Sequence, residues 1–87
     1  MNKKELVNKI KEQLSTLNIK KDSCVNLKNV PDCSWVSYTQ ILKRKRVGNA
    51  LYKLYRVRLY SKDVSLEELE LIHNELSNMS ELKQVRP

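Results

Sequence analysis

Residues 43–60, KRKRVGNALYKLYRVRLY, constrain the fold most, because they combine a strand-like alternation of side chains with a turn signal in their middle. Gly48-Asn49 are two residues that tolerate positive φ, as the tight two-residue turn of a β-hairpin requires. This turn predicts a register in which position 44 faces 53, 42 faces 55 and 40 faces 57. Because side chains alternate along a strand, the register divides the hairpin into two faces.

The two predicted faces differ in chemistry. One is mostly apolar, which predicts a core face made of Val36, Tyr38, Gln40, Leu42, Leu51, Tyr55, Val57 and Leu59. The other is basic, hydroxylic and aromatic, which predicts an open face made of Trp35, Ser37, Thr39, Ile41, Lys43, Lys45, Tyr52, Leu54, Arg56, Arg58 and Tyr60. A slip of one residue would move arginine into the core, which favours this register.

Amphipathic segments at both ends of the chain predict two helices. The first, residues 3–17, places its apolar side chains on one face: Leu6, Val7, Ile10, Leu14 and Leu17. The second, residues 65–79, opens on a capping box formed by Ser65 and Glu68. We expect residues 81–87, ELKQVRP, to fray or to add a short edge strand.

Three strands are predicted between the helices, over residues 24–30, 34–46 and 50–61. Pro31 ends the first, because proline lacks a backbone donor for the ladder. The order α-β-β-β-α implies an α+β two-layer sandwich, in which two terminal helices cover one face of a three-stranded antiparallel sheet. The length of 87 residues predicts a single domain over residues 1–87.

Positive charge is concentrated in the predicted hairpin. The chain has a net charge of +7, and residues 43–58 alone carry seven Lys and Arg with no acidic residue. Such asymmetry indicates a polyanionic partner. The predicted nucleic-acid-binding residues are Lys43, Arg44, Lys45, Arg46, Lys53, Arg56, Arg58, Tyr52, Tyr60 and Trp35.

The chemistry of the predicted open face favours RNA among polyanions. Lysine and arginine neutralise phosphates, while Trp35, Tyr52 and Tyr60 are suited to stack on unpaired bases. Ser37 and Thr39 are suited to contact phosphate or the ribose 2′-hydroxyl. Three alternatives stay open: a protein or virion partner, a basic face that only solvates the sheet, and a Trp35 that anchors the core.

Other functional classes find less support in the sequence. His73 has no nucleophile or carboxylate placed to work with it, and there is no glycine-rich phosphate loop, so we expect a non-enzymatic protein without a cofactor. Cys24 and Cys33 lack a second pair, which predicts packed or half-buried thiols in a reducing compartment and no metal site. No apolar run reaches the roughly 20 residues of a membrane span, and the N-terminus does not resemble a signal peptide. These patterns predict a cytoplasmic protein without a membrane partner.

Three segments carry a family resemblance: ELVNKIKEQLSTL, CVNLKNV and RVRLYSKDVSLEELELIHNELSNM. In this layout the chain resembles the two small Alu-domain proteins of the signal recognition particle, αβββα domains that pair with each other and bind RNA on a basic concave sheet. The resemblance implies that Lys43, Lys45, Arg56 and Arg58 lie on an RNA-binding face, within a ribonucleoprotein. The Gly48-Asn49 hairpin with its KRKR flank departs from that family. The acidic SLEELE helix start argues against the double-stranded-RNA-binding domains, which share the αβββα order.

Association with protein is a second expectation. A sheet with one bare face and free edges is a natural pairing surface, so homo- or heterodimerisation is predicted, with Ile41 and Leu54 on the exposed face. The element order also resembles that of the tail-terminator and neck proteins of phages, which are ring-forming structural subunits, with ELKQVRP as a final strand. A small phage inhibitor protein that blocks nucleic-acid sites is a further alternative.

Overall fold

The structure is a computed structural model that describes the backbone of residues 2–85 and the side chains of residues 2–79. This part of the chain contains two helices and four strands, in the order α1 (Lys3–Thr16), β1 (Val25–Asn26), β2 (Cys33–Val36), β3 (Gln40–Gly48), β4 (Leu51–Arg58) and α2 (Leu66–Val85). Each strand pairs antiparallel with the next in the chain. The protein is therefore α+β, as predicted, but its sheet has four strands instead of three. Neither helix, over the residues described, is long and apolar enough to cross a membrane.

One hydrophobic core lies between the two helices and one face of the sheet. Its members are buried apolar side chains of both helices, of the strands and of the connections, including Leu6, Ile10, Leu14, Val36, Ile41, Leu59, Leu69, Ile72 and Leu76. The predicted capping box of α2 is confirmed, because Ser65 Oγ accepts from the Glu68 N–H and a Glu68 carboxylate oxygen accepts from the Ser65 N–H, both at 3.0 Å. α2 continues beyond the predicted residue 79 to Val85, so residues 81–85 form no edge strand. Residues 86 and 87 lie outside the described backbone.

A turn divides the strand predicted over residues 34–46 into β2 and β3. The N–H of Ser37 donates to the Gln40 carbonyl at 2.9 Å, and Ser37 Oγ accepts from the Gln40 N–H at 3.1 Å. Short serine hydroxyls stabilise turns by such bonds to nearby backbone. The Tyr38 hydroxyl donates to the Ile19 carbonyl at 3.0 Å, which draws the turn towards the helices. The prediction of one long strand was wrong because the hydrogen bonds of Ser37 and Tyr38 outweigh the strand pattern.

The turn reverses the faces of β3 relative to the prediction. Val36 now pairs with Ile41, and both are fully buried. Leu42, predicted inward, pairs with Trp35 and Arg56 on the open face of the sheet. The face assignment of Ile41, Leu42, Lys43 and Lys45 was therefore wrong. In β4 the alternation is as predicted, since Val57 packs against the core while Arg56 and Arg58 are exposed.

The β3–β4 turn lies one residue later than predicted. The strands pair Gln40 with Arg58 and Arg46 with Tyr52, and a bulge follows before Gly48 pairs with Leu51. Asn49 and Ala50 form the turn, and Ala50 has the left-handed φ of 58°. Leu51, predicted as a core residue, is 62% exposed at the end of this hairpin.

Lys43 is a core residue and not the surface cation that the sequence predicted. Its ammonium group donates to the Asp63 carbonyl and, at 3.1 Å, to a carboxylate oxygen of Glu68. The thiol of Cys33 donates to the other Glu68 oxygen at 3.6 Å. The same carboxylate that caps α2 thus binds side chains of β2 and β3, an arrangement we call the Glu68 junction (Cys33, Lys43, Ser65 and Glu68).

The Glu68 junction shifts the pKa of its three titratable groups. Burial opposes the charged form of Lys43, but the hydrogen bond and the negative charge of Glu68 outweigh it and raise the Lys43 pKa. Burial also opposes the Glu68 carboxylate, but the Ser65 N–H and Lys43 lower its pKa on balance. Burial, reinforced by Glu68, raises the pKa of the Cys33 thiol to about 12. Lysine and glutamate are thus held as an ion pair beside a neutral thiol.

The position of the β3–β4 turn is tested by exchanging two residues in it. Ala50→Gly relieves a left-handed φ that disfavours residues with a Cβ, so the free energy of unfolding should rise by about 0.5–1 kcal/mol. Gly48→Ala should change it by less than about 0.5 kcal/mol, because Gly48 has no positive φ and an added Cβ meets Leu51 Cβ at an ordinary 3.7 Å. Urea denaturation measures both. Clear destabilisation by Gly48→Ala alone would indicate the Gly48-Asn49 turn instead.

The Glu68 junction is tested by removing its cation. Lys43→Met should lower the free energy of unfolding by about 1–3 kcal/mol, because the largely buried Glu68 carboxylate loses its charged donor. The matched control is Lys45→Met, two residues along the same face and exposed, which should change stability by less than about 0.5 kcal/mol. Equal effects of the two variants in urea denaturation would show that Lys43 is an ordinary surface cation.

Candidate nucleic-acid interface

Four arginines form a row along the open face of the β3–β4 hairpin. Successive cross-strand pairs on this face are Gln40 with Arg58, Leu42 with Arg56, Arg44 with Leu54 and Arg46 with Tyr52. Each pair contains one arginine, and all four arginines are exposed. Neighbouring pairs on one face are two residues apart, or about 7 Å, so the row extends over about 20 Å. We call this set (Arg58, Arg56, Arg44 and Arg46) the arginine ladder.

The distal part of the hairpin, residues 44–54, is exposed at every position, and we call it the arm. The arm carries two ladder arginines on its open face, while Lys45 and Lys53 pair with each other on the opposite face. It also exposes more than half of the surface of four large side chains: Val47, Leu51, Tyr52 and Leu54. The arm therefore presents both cations and apolar groups to a partner.

The ladder cations are not neutralised within the described part of the molecule. Among the side chains of residues 2–79, the one ion pair within 4 Å joins Lys43 and Glu68. Arg46 Nε donates to the nearby Gly48 carbonyl at 3.3 Å, which leaves its other donors available. Guanidinium groups remain charged at all ordinary pH values and match phosphate oxygens with paired donors. The ladder is thus suited to bind a chain of phosphates.

Two of the predicted aromatic residues lie near the other end of the ladder. Trp35 is half-buried on the open face beside Leu42 and Arg56, and the Arg56 guanidinium carbon lies 6.0 Å from its ring centre. Tyr60 follows the end of β4 instead of lying among the open-face residues as predicted, and its ring centre is 5.5 Å from Lys11 Nζ of α1. Cations over aromatic faces at such distances are attracted by the ring quadrupole.

The structure separates the ten predicted binding residues into three groups. Lys43 belongs to the Glu68 junction and is 9% exposed. The arm carries Arg44, Lys45, Arg46, Tyr52 and Lys53, whereas Trp35, Arg56, Arg58 and Tyr60 lie towards the β2–β3 turn. Sequence reasoning missed Lys11 as a neighbour of this second group, because no local pattern shows that α1 approaches the end of β4. The serine of SYTQ, residues 37–40, was the signal that could have placed the turn.

The remaining chemical groups have structural roles or stand alone. His73 Nδ1 lies 2.9 Å from Gln13 Oε1, which joins the two helices. Cys33 is buried, as predicted, while Cys24 is exposed and not half-buried. Within the described residues no group of three His, Cys, Asp or Glu side chains is placed to hold a metal ion. The arginine ladder and its aromatic neighbours therefore form the candidate interface.

No family model, curated protein or solved structure matches this chain. The resemblance to the Alu-domain proteins of the signal recognition particle stays a prediction. Of the four residues for which it implied RNA contact, Arg56 and Arg58 lie on the open face, while Lys43 is in the core and Lys45 faces the helix side.

Proposed function

We propose that this chain is a non-enzymatic nucleic-acid-binding domain that holds a phosphate backbone along the arginine ladder. The observation that carries the proposal is the geometry of the ladder: one exposed arginine in each of four successive cross-strand pairs. An extended row of cations at a regular spacing is complementary to a polymer with one negative charge per nucleotide. Scattered surface lysines would solvate the protein equally well without such order.

The arm adds to this surface on its second face. Lys45 and Lys53 extend the positive charge around the hairpin, and the arm contains no acidic residue. Phosphate neutralisation releases condensed counterions, so the affinity should depend strongly on salt. The proposed contact surface comprises the ladder, the two lysines and the neighbouring rings of Trp35 and Tyr52.

RNA is the nucleic acid we favour. Exposed aromatic side chains beside guanidinium groups are the usual means of holding unpaired bases, which single-stranded RNA offers. The resemblance to the Alu-domain proteins supports the same ligand, and with it a place in a ribonucleoprotein. A cytoplasmic location accords with that proposal.

Protein association is the second candidate function, and the free edge of β4 favours it. In the described backbone β4 pairs only with β3, and its edge and the arm expose Leu51 and Leu54. Such an edge is a template for another strand, as in a dimer or a phage-type ring. Pairing two copies through β4 would bring Lys53, Arg56 and Arg58 of both close together, and this repulsion makes self-association the weaker candidate. Sedimentation of the protein without nucleic acid decides whether it dimerises.

The ladder is tested by removing two of its charges. Arg44→Gln with Arg46→Gln should weaken binding to a short oligouridylate and reduce the log–log salt slope by about 1.4–1.8, at about 0.7–0.9 for each lost phosphate contact. Fluorescence anisotropy over a series of salt concentrations measures the slope. Both residues are exposed, so the free energy of unfolding should change by less than about 0.5 kcal/mol.

A second double variant controls for net charge. Lys4→Gln with Lys9→Gln removes the same charge from exposed positions on α1, and its salt slope should stay close to that of the parent. If both double variants reduce the slope equally, binding follows net charge alone and the ladder is not a site. If neither variant changes the slope, the arginines only solvate the sheet.

A further inference from the structure

Two cavities adjoin at the β2–β3 turn, where the ladder begins. One, of about 360 Å³, is lined by Lys11, Arg58 and Tyr60 among others. The other, of about 470 Å³, is lined by Lys21, Trp35 and Arg56 among others, and both cavities include Thr39 and Gln40 in their walls. Volumes of about 300–1,000 Å³ are typical of sites for small organic ligands.

Each cavity combines an aromatic ring with a cation placed above it. Lys11 Nζ lies 5.5 Å from the Tyr60 ring centre in the first, and the Arg56 guanidinium lies 6.0 Å from the Trp35 ring centre in the second. A ring binds the flat face of a base, and a neighbouring cation binds the phosphate of the same nucleotide. Tyr60 is 55% exposed, so most of one ring face is accessible.

We propose that these adjoining cavities bind two successive unpaired nucleotides of a single strand whose next phosphates follow the arginine ladder. The inference rests on the proposed function and adds that the ligand is single-stranded at this end. A base inside a duplex is covered by its neighbours and cannot reach either ring, whereas an unpaired base can. Arg58 and Arg56 each line one cavity and also begin the ladder, which makes the path continuous.

The wall of the larger cavity indicates how its nucleotide is oriented. Asp22 lies in the same wall as Lys21, so phosphate is repelled from that carboxylate and attracted to the cations. A carboxylate accepts hydrogen bonds from sugar hydroxyls or base amino groups. Ser37 Oγ is occupied by backbone donors of its own turn, and it holds Thr39 and Gln40 in place instead of binding ligand.

The sole tryptophan, Trp35, makes occupation of the cavities measurable. A short oligouridylate and a short oligothymidylate are titrated into the protein, beside a duplex of equal length, while tryptophan fluorescence and anisotropy of the labelled strand are recorded. Both single strands should quench Trp35, and the duplex should not. A stronger response to the uridylate would assign a contact to the ribose hydroxyls.

Variants distinguish this inference from the ladder itself. Tyr60→Leu should weaken single-strand binding by about fivefold or more and leave duplex binding unchanged. Arg44→Gln with Arg46→Gln should weaken both forms alike, because the phosphates are common to them. If the parent binds single strands without quenching and Tyr60→Leu binds them equally well, the inference is wrong and the ladder remains. If no nucleic acid binds at all, both proposals are wrong.

Discussion

The structure depends on the Glu68 carboxylate, which caps α2 and binds side chains of two strands. Its oxygens accept from the Ser65 N–H and from Lys43 Nζ, and also from the Cys33 thiol. Removing one member would leave a largely buried charge without its partner, which is costly in a small core. The junction therefore fixes which residues of β3 face the helices. With Lys43 held inward, Arg44 and Arg46 must lie on the other face.

The surface chemistry follows from that choice of face. Arg44 and Arg46 join Arg58 and Arg56 in one continuous ladder, because β3 and β4 each supply two arginines to the same side. In the predicted register the open face would instead have contained Lys43 and Lys45. The change replaces two lysines by two guanidinium groups, which bind phosphate with paired donors. A single residue of register thus determines the kind of anion surface that the hairpin presents.

Much of the fold could be predicted from the sequence, since helices and capping depend on local patterns. The helical periodicity of α1 and the Ser65 and Glu68 box of α2 both correspond to the structure. The register of β3 could not be predicted, because it depends on the Ser37 turn and on contacts between Lys43 and Glu68, which are 25 residues apart. The basic character of the hairpin was evident in the sequence, but the ordering of its arginines needed the strand pairing. The neighbours Lys11 and Tyr60 meet only through the packing of α1.

The most direct measurement of the central claim is a nuclear magnetic resonance titration of the ¹⁵N-labelled protein with a short single-stranded RNA. Binding along the arginine ladder should shift the backbone amides of Arg44, Arg46 and Arg56 and the Arg side-chain resonances of the open face. The amides on the exposed face of α2, such as Glu70 and Asn74, should stay in place. Shifts centred on α2, or none at saturating RNA, would contradict the account.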